Sequence, residues 1–355
     1  MKWLRRALLG LSLAVAAAGM GGFWILWQPA SPIAERRLFV VEEGEPLTSI
    51  AERLQRAGLL PRQRAFGPWI WVLWARLSGV DRRVRAGEYE LSTRLRPLQV
   101  LAHLVDGRAK TWPVTLPEGL RLDEVASRLG EAGIVDPQEF LRLARDPEVA
   151  AALGVPATTL EGYLYPETYR FRHRTAPREV LAAMVAEFRS AWTDRDRALL
   201  SASGRSLHDV VTLASIVEKE TGQASERPLI AAVFRNRLQR GMRLQTDPTV
   251  IYGLWLEHGR FDGNLRRRDL TEETAYNTYL HAGLPPGAIA SPGIDSIRAV
   301  LSPADVPYLY FVSRNDGSHV FSRTLREHNA AVERFQKRRA QARRQPARGA
   351  GEASP

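Results

Sequence analysis

Glu218 is the carboxyl group in this sequence whose position best fits acid–base chemistry. It belongs to the segment 206–222, SLHDVVTLASIVEKETG, which is apolar over most of the surface of the predicted helix. Because Glu218 follows Val211 by seven residues and Ala214 by four, it continues an apolar face. Loss of hydration there disfavours the charged carboxylate, and a group that keeps its proton near neutral pH can act as a general acid.

A second carboxyl group, Glu220, follows two residues later but faces another direction, about 200° around the helix axis. The sequence therefore predicts no matched pair of carboxylates on one helix face. A glutamate near the end of a helix can also be solvent-exposed or paired with an arginine, and spacing alone leaves that alternative open.

Composition excludes several other kinds of chemistry. The 355 residues include no cysteine, which rules out disulfides, thiolate metal sites and cysteine nucleophiles. The seven histidines show no metal-ligand spacing, and no phosphate-binding GxxxxGK[ST] loop occurs, so we predict neither a metal nor a cofactor. The net charge of +11 is spread along the chain without a nucleic-acid-binding motif, so nucleic acid is not a predicted partner.

The N-terminus has the pattern of a membrane anchor. Basic residues within 1–6 precede an uncharged run over 7–27, which as a helix is roughly 31 Å long and matches the core of a bilayer. The basic residues favour a cytoplasmic N-terminus, and Trp24 and Trp27 suit the far interface. A cleaved signal peptide is the alternative, but the run is long for one. We predict a single-pass protein of the cell inner membrane, with everything after Gln28 outside the cytoplasm.

A short linker over 28–37 leads to a pattern that occurs twice at an offset of 75 residues. The segment from Gly44 reads GEPLTSIAERLQRAGLL, and the segment from Gly119 reads GLRLDEVASRLGEAGIV. Each copy predicts a strand, a glycine turn and an amphipathic helix that ends at a glycine. The first copy resembles LysM, a small wall-glycan-binding module, and predicts a LysM-like α+β subdomain over 38–112 with a related element over 113–150. A generic strand–helix unit is an equal alternative.

The rest of the pattern predicts a mixed α+β domain over 113–337, and the fold class is therefore α+β. Helices are predicted over 177–192, 206–220 and 225–240. The segment after Gly241 is predicted to form loops. An aromatic strand over 308–312 is expected to form a hairpin with 319–321 across an Asn-Asp-Gly turn. The basic tail over 338–355 lacks an apolar pattern and is predicted to be disordered.

Five segments in chain order carry a family resemblance. They read LEGYLYPETYRF at 160–171, ASIVEKE at 214–220, RGMRLQTDPTVIY at 240–252, AYNTYLHAGLPPGAIASPG at 275–293 and PYLYFV at 307–312. Together they resemble the endolytic murein transglycosylases, the YceG-like family, over about residues 38–335. The resemblance implies peptidoglycan glycan strands as the substrate, no cofactor, and peptidoglycan synthases or penicillin-binding proteins as neighbouring partners.

The resemblance also implies a non-hydrolytic reaction that terminates strand elongation. Members of the family cleave the β-1,4 bond between N-acetylmuramic acid and N-acetylglucosamine inside nascent strands. The C6 hydroxyl of the muramic acid attacks its own C1 and leaves a 1,6-anhydro end. By motif the catalytic glutamate is Glu218, acting first as the acid and then as the base. One carboxyl group can serve where a glycosidase normally needs two, because the nucleophile belongs to the substrate.

Other polar side chains in these motifs are candidate substrate-binding groups. They are Glu161, Gln245, Asp247, Tyr276 and Asn277. Amide and hydroxyl groups in loops suit sugar hydroxyl and N-acetyl groups, but Asn and Asp also cap turns. The tyrosines around Glu161 can stack on sugar rings or pack in the core. Both alternatives stay open for these residues.

Two other functions compete with the lytic reaction. A hydrolase of the same polymer would need a second carboxylate, for which Glu161 and Asp247 are the candidates. A non-enzymatic wall-binding protein would rely on the LysM-like unit and would not need Glu218.

Overall fold

Two compact units make up the described part of the chain. The computed structural model describes residues 20, 21, 24, 26–62, 67–107 and 109–337. The first unit comprises the chain up to Pro113 together with Arg170–Arg174, and the second comprises Val114–Tyr169 and the chain from Thr175 onwards. The change of unit after Pro113 lies one residue from the boundary expected at 112/113. The inclusion of Arg170–Arg174 in the first unit had no counterpart in the sequence pattern.

The predicted membrane anchor and the predicted disordered tail are at the two ends of the chain. The segments 1–6 and 338–355 lie outside the described residues, as does most of the predicted anchor at 7–27. Over the residues that are described, no helix is both long and apolar enough to cross a membrane.

The first unit is built on an antiparallel strand pair. Strand β1 is Arg36–Val41 and strand β2 is Gly87–Ser92, with Phe39 opposite Tyr89. Its helices are α1 (Leu47–Arg56), α2 (Pro68–Leu77) and α3 (Pro97–Asp106). Phe39, Leu54 and Tyr89 are buried in one apolar cluster. The predicted strand–glycine–helix order is confirmed here, whereas the likeness to LysM stays a prediction.

In the described part of the chain, ten α-helices follow those of the first unit. They are α4 (Leu122–Glu131), α5 (Pro137–Ala144), α6 (Pro147–Ala152), α7 (Pro177–Ser190), α8 (Asp194–Ser203), α9 (Leu207–Glu220), α10 (Arg227–Gln239), α11 (Asp247–His258), α12 (Ile294–Leu301) and α13 (Leu325–Val332). Strand β3 (Trp112–Thr115) pairs with β4 (Thr168–Phe171), and β5 (Tyr310–Ser313) pairs with β6 (His319–Ser322). The β5–β6 pair is antiparallel, which confirms the predicted hairpin.

Six of these ten helices were not predicted, namely α5, α6, α8, α11, α12 and α13. Two of the six, α8 and α11, have weak amphipathic patterns. Helix α8 buries only Asp196, so its sequence lacks the apolar stripe that marks a helix. Helix α11 interrupts the segment predicted as loops after Gly241, and it is apolar on most sides and contains Pro248 and Gly253. Pro248 is compatible with a helix because it occupies the first turn, where its missing N–H needs no intrahelical partner.

Helix α9 is the buried helix that the sequence predicted. Every residue from Val210 to Val217 is buried, and the helix packs against α10, α11 and α12. Ser206 begins it with a capping box, since its hydroxyl accepts the Asp209 N–H at 3.0 Å and its own N–H donates to the Asp209 carboxylate at 3.3 Å. The burial fixes both the rotation of α9 and the direction in which its last turn presents Glu218.

An irregular segment between α11 and α12 returns to the start of α4. The N–H of Ser291 donates to Leu120 O at 2.8 Å, and the N–H of Gly119 donates to Ser291 O at 2.8 Å. Gly119 has φ +78°, a left-handed conformation that suits glycine. These two bonds bring the β3–α4 turn and the entry to α12 together beside the end of α9.

Gly162 tests how tightly this framework is packed. Its φ is +85°, and a Cβ there would overlap Ala288 and lie 2.9 Å from Val211 Cγ1. We expect Gly162→Ala to lower the free energy of unfolding by about 3 kcal/mol or more, because left-handed strain of about 1–2 kcal/mol adds to overpacking of about 1–3 kcal/mol. Gly204 is the matched control, since it has φ +64° and nothing within 4 Å of an added Cβ. Gly204→Ala should cost only the strain of about 1–2 kcal/mol, and equal losses in urea denaturation would contradict the packing argument.

Candidate active site

The Glu218 side chain lies in the last turn of α9 with 6% of its surface exposed. Three donors from other segments surround its carboxyl group. Nη2 of Arg227 lies 3.2 Å from Oε1, the N–H of Gly293 donates to Oε2 at 3.0 Å, and the hydroxyl of Ser296 donates to Oε2 at 2.7 Å. Such bonds stabilise the ionised carboxylate, and they therefore oppose the desolvation that the apolar helix face imposes.

A single guanidinium joins Glu218 to a second carboxylate. Nη2 of Arg227 lies 3.2 Å from Oε2 of Glu118, the same distance as to Glu218. The Arg227 side chain is 12% exposed, and its Nε–H is buried without a hydrogen-bond partner among the residues described. Arg227 is the first residue of α10, where a positive charge opposes the helix dipole. The two carboxylates therefore give the best electrostatic reason for its position.

Glu118 lies in the turn between β3 and α4 and has 44% of its side chain exposed. Burial raises the pKa of Glu118 above its usual range, and the negative charges of Glu218 and Asp295 raise it further, while Arg227 opposes the rise. The two carboxylates are thus coupled through space and through a shared cation.

Two glycines lie beside these groups, and Gly293 is the one that leaves room for the Glu118 carboxylate. A Cβ at Gly293 would overlap the Glu118 carboxylate, and a Cβ at Gly119 would lie 3.7 Å from Glu218 Cγ. Lys219 donates from Nζ to Gly119 O at 3.0 Å, which holds the turn against the end of α9. The site therefore combines four chain segments within the second unit.

Glu220 contacts a different set of residues, as the helix geometry predicted. Burial raises the pKa of Glu220 to about 7; the hydroxyl of Thr246, which donates to its carboxylate, opposes the rise, and the charge of Asp247 adds to it. Glu218 and Glu220 therefore do not form a matched pair.

Asp247 and Gln245 flank Thr246, the residue that donates to Glu220. The expectation that Asp247 lies in a loop is wrong, since it is the first residue of α11, and its carboxylate accepts the Tyr279 hydroxyl at 2.6 Å. Gln245 is exposed and has φ +49°, which is uncommon for a residue with a Cβ. Such a backbone conformation often marks a ligand-binding segment.

Glu161 lies at the N-terminus of α4 rather than beside Glu218. Its carboxylate oxygens lie 3.2 and 3.3 Å from the N–H of Leu122, and the Tyr252 hydroxyl donates to it at 3.1 Å. Burial raises the pKa of Glu161 to about 8, although these two bonds oppose the rise. Tyr163 beside it in the chain is buried, which favours the core alternative for that ring.

Tyr276 and Asn277 are neighbours in sequence but differ in surroundings. Asn277 is fully buried, and its side chain bonds to the backbone of Leu270, Glu272 and Tyr279. This arrangement favours the turn-stabilising alternative for Asn277. Tyr276 is half-buried, and burial raises its pKa to about 12.

Sequence reasoning missed Glu118, Arg227, Gly293 and Ser296 as partners of Glu218. Glu118 is 109 residues from Arg227, and Ser296 is 78 residues from Glu218. One signal was available, because Gly119 begins the second repeat and Gly293 ends the fourth motif segment. The described residues contain no group of three or more His, Asp or Glu side chains that could hold a metal ion.

Comparison with protein-family models gives a match to the YceG-like family over residues 39–334. A protein of Bacillus subtilis named endolytic murein transglycosylase is 30% identical over 311 residues, which is 83% of each chain. A protein of Streptococcus pneumoniae with the same name is 26% identical over 358 residues, covering 90% of this chain and 62% of its own length.

A solved structure gives the same picture. The crystal structure of a YceG-like protein from Listeria monocytogenes has a TM-score of 0.57 and 31% sequence identity. It covers 84% of this chain and 100% of its own.

The buried carboxyl group of Glu161 makes a testable contribution to stability. Its pKa is raised from 4.5 to about 8 by burial, so the folded state holds this proton more tightly than the unfolded state. The contribution is fully present below about pH 4.5 and is lost as the pH rises through about 8. We therefore expect the stability of Glu161→Gln, relative to the unsubstituted protein, to improve between pH 5 and about 8 in urea denaturation. A difference that stays constant across that range would contradict the assignment.

Proposed function

The chain belongs to the YceG-like family, and from this membership and the surroundings of Glu218 we propose that it is an endolytic peptidoglycan lytic transglycosylase. Its substrate would be the glycan strand, cut at the β-1,4 bond between N-acetylmuramic acid and N-acetylglucosamine. The observation that carries the proposal is a buried carboxylate that meets a guanidinium, a hydroxyl and a backbone N–H within the family's motif.

The reaction divides into two proton transfers at one carboxyl group. Glu218 first donates its proton to the glycosidic oxygen as the bond to C1 of the muramic acid breaks. The resulting carboxylate then takes the proton of the C6 hydroxyl while that oxygen bonds to C1, which closes the 1,6-anhydro ring. The two transfers consume no water, and Glu218 carries its proton again at the end of the cycle.

The donors around Glu218 stabilise the state of the carboxyl group between the two proton transfers. At that point the carboxylate carries a full negative charge, and the substrate carries positive charge near C1. The bonds from Arg227, Gly293 and Ser296 stabilise that carboxylate and hold it in one orientation. An intramolecular nucleophile gains most from a held geometry.

Three of the other candidate residues remain proposed substrate contacts. Gln245 and Asp247 are exposed, and Tyr276 is half-buried, so each has surface that a sugar could meet. We assign Glu161 and Asn277 to the framework instead, because their polar atoms are engaged by other parts of the chain.

Location and partners follow from the N-terminal sequence and the proposed reaction. We propose that the segment 7–27 anchors the protein in the cell inner membrane, with the enzyme outside the cytoplasm. There it would terminate nascent strands beside peptidoglycan synthases or penicillin-binding proteins, and the LysM-like unit over 38–112 would help to bind the glycan.

Replacement of the catalytic carboxyl group is the direct test. We expect the purified protein to release fragments of uncrosslinked glycan strands with 1,6-anhydro ends, as measured by mass spectrometry. Glu218→Gln should lower that activity by about 10²–10⁴-fold, since the amide can neither donate nor accept the proton. Glu131→Gln, which changes an exposed side chain bonded to Ser127, is the control and should keep full activity.

The mass of the products separates the lytic reaction from hydrolysis. Hydrolysis adds one water and leaves a reducing end, and exclusively reducing ends would overturn the proposal. If Glu218→Gln leaves the effect of the protein on cells intact, the wall-binding alternative gains support instead.

Asp247 tests whether a second carboxylate takes part as a hydrolase would require. We expect Asp247→Asn to keep anhydro-forming chemistry with a turnover number within about tenfold of the unsubstituted protein, because no step of the lytic reaction uses this group. A rise in KM would fit a substrate contact. Complete loss of turnover in a folded variant would favour a two-carboxylate hydrolase.

A further inference from the structure

We propose that Glu118 is a positioning residue of the reaction: by holding the guanidinium of Arg227, it lets Glu218 keep the proton that the first step requires. This inference rests on the proposed function, because it concerns how one carboxyl group can be acid and then base.

The surroundings of Glu218 pose a problem for an acid. Arg227, Gly293 and Ser296 all donate to it, and donors stabilise the charged form of a carboxyl group. The same donors that help after the first proton transfer therefore work against the protonated starting state. An acid in this position needs a group that draws the positive charge away.

Glu118 is placed to compete for that charge. Its Oε2 and the Oε1 of Glu218 are each 3.2 Å from the same Nη2 atom of Arg227. One guanidinium carries one positive charge and can compensate only one of the two negative charges. Two like charges this close repel each other, so the negative charge of Glu118 disfavours a second negative charge on Glu218.

The other charged or titratable groups around the pair are less well placed. Asp295 is 63% exposed and 3.9 Å from Nη1 of Arg227, so solvent screens it. Lys219 is engaged by the carbonyl of Gly119. Burial raises the pKa of Tyr165, and the negative charge of Glu118 adds to the rise, so Tyr165 stays neutral at ordinary pH. Glu118 is therefore the main competitor for Arg227.

Two states of the cluster then match the two steps. Before reaction, Glu218 holds the proton, and Arg227 compensates the ionised Glu118. After Glu218 gives its proton to the glycosidic oxygen, the donors Arg227, Gly293 and Ser296 hold the new carboxylate opposite the positive charge that the substrate carries near C1. When Glu218 takes the proton of the C6 hydroxyl, the first state returns. Glu118 exchanges no proton with the substrate in this cycle.

Gly293 supports the role of Glu118 independently. A Cβ at this position would overlap the Glu118 carboxylate, while the Gly293 backbone with φ −73° can accept a side chain. The absence of a side chain thus gives Glu118 its place, and the N–H of the same residue binds Glu218.

The pH dependence of kcat/KM tests this role. Activity needs a proton on Glu218, so it falls on the alkaline side of the profile as that proton is lost. Removing the neighbouring negative charge in Glu118→Gln makes the proton easier to lose. We expect the alkaline limb of the profile to shift to lower pH by about one unit, which lowers the activity on that limb by about tenfold. The activity at acidic pH should fall less. Glu118→Asp keeps the charge and should restore most of the profile.

Arg227 gives the opposite prediction. Removing the positive charge in Arg227→Gln makes the proton harder to lose, so the alkaline limb should move up, even if the overall rate falls. A merely structural role of either residue would lower the rate without moving the limbs in opposite directions.

Glu139→Gln is the matched control. The Glu139 side chain is 45% exposed and pairs with Arg142 at 2.7 Å, so the variant removes an equally exposed carboxylate from an arginine pair in α5. Its profile should coincide with that of the unsubstituted protein. Gly293→Ala, which displaces the Glu118 carboxylate without removing it, should move the limb in the direction of Glu118→Gln.

The outcomes separate this inference from the proposed function. Anhydro products with a limb that does not move, or moves up, in Glu118→Gln would overturn the role of Glu118 alone. Limbs that move the same way in Glu118→Gln and Arg227→Gln would also overturn it. Exclusively reducing-end products from the unsubstituted protein would instead overturn the proposed function.

Discussion

A carboxylate removed from water must find compensating donors, and the site around Glu218 is organised by that requirement. The side chain is 6% exposed, and donors from Arg227, Gly293 and Ser296 surround its carboxyl group. Each donor comes from a different part of the chain than α9. The positions of α10, of α12 and of the β3–α4 turn are therefore tied to one functional group.

The framework meets the same requirement elsewhere by other means. Glu161 is buried at the N-terminus of α4, where the N–H of Leu122 and the hydroxyl of Tyr252 lie within hydrogen-bond distance. Its pKa of about 8 means that it is largely neutral at pH 7. Glu220 is buried beside Thr246 with a pKa of about 7. Of these three glutamates, Glu218 is the one that pairs with an arginine, and that arginine also contacts Glu118.

Much of the secondary structure could be predicted because apolar periodicity is a local property. The burial of α9, the β5–β6 hairpin and the helix endings at glycine all followed from spacing. Helix α11 could not be predicted in this way, because it is apolar on most sides and has no single stripe. Helix α8 could not be predicted for the opposite reason: it is mostly exposed, so its sequence contains no apolar stripe.

The sequence by itself determined which carboxyl group is the leading candidate, because helix geometry and motif both act through residues close to Glu218 in the chain. It also determined that Glu220 faces elsewhere, since two residues of a helix turn about 200°. Only the tertiary structure decided what surrounds Glu218. Glu118 and Arg227 are 109 residues apart, and no periodic pattern records that a left-handed turn and a glycine bring them together. The protonation state of a buried group depends on such distant neighbours, because electrostatic forces act through space and not along the chain.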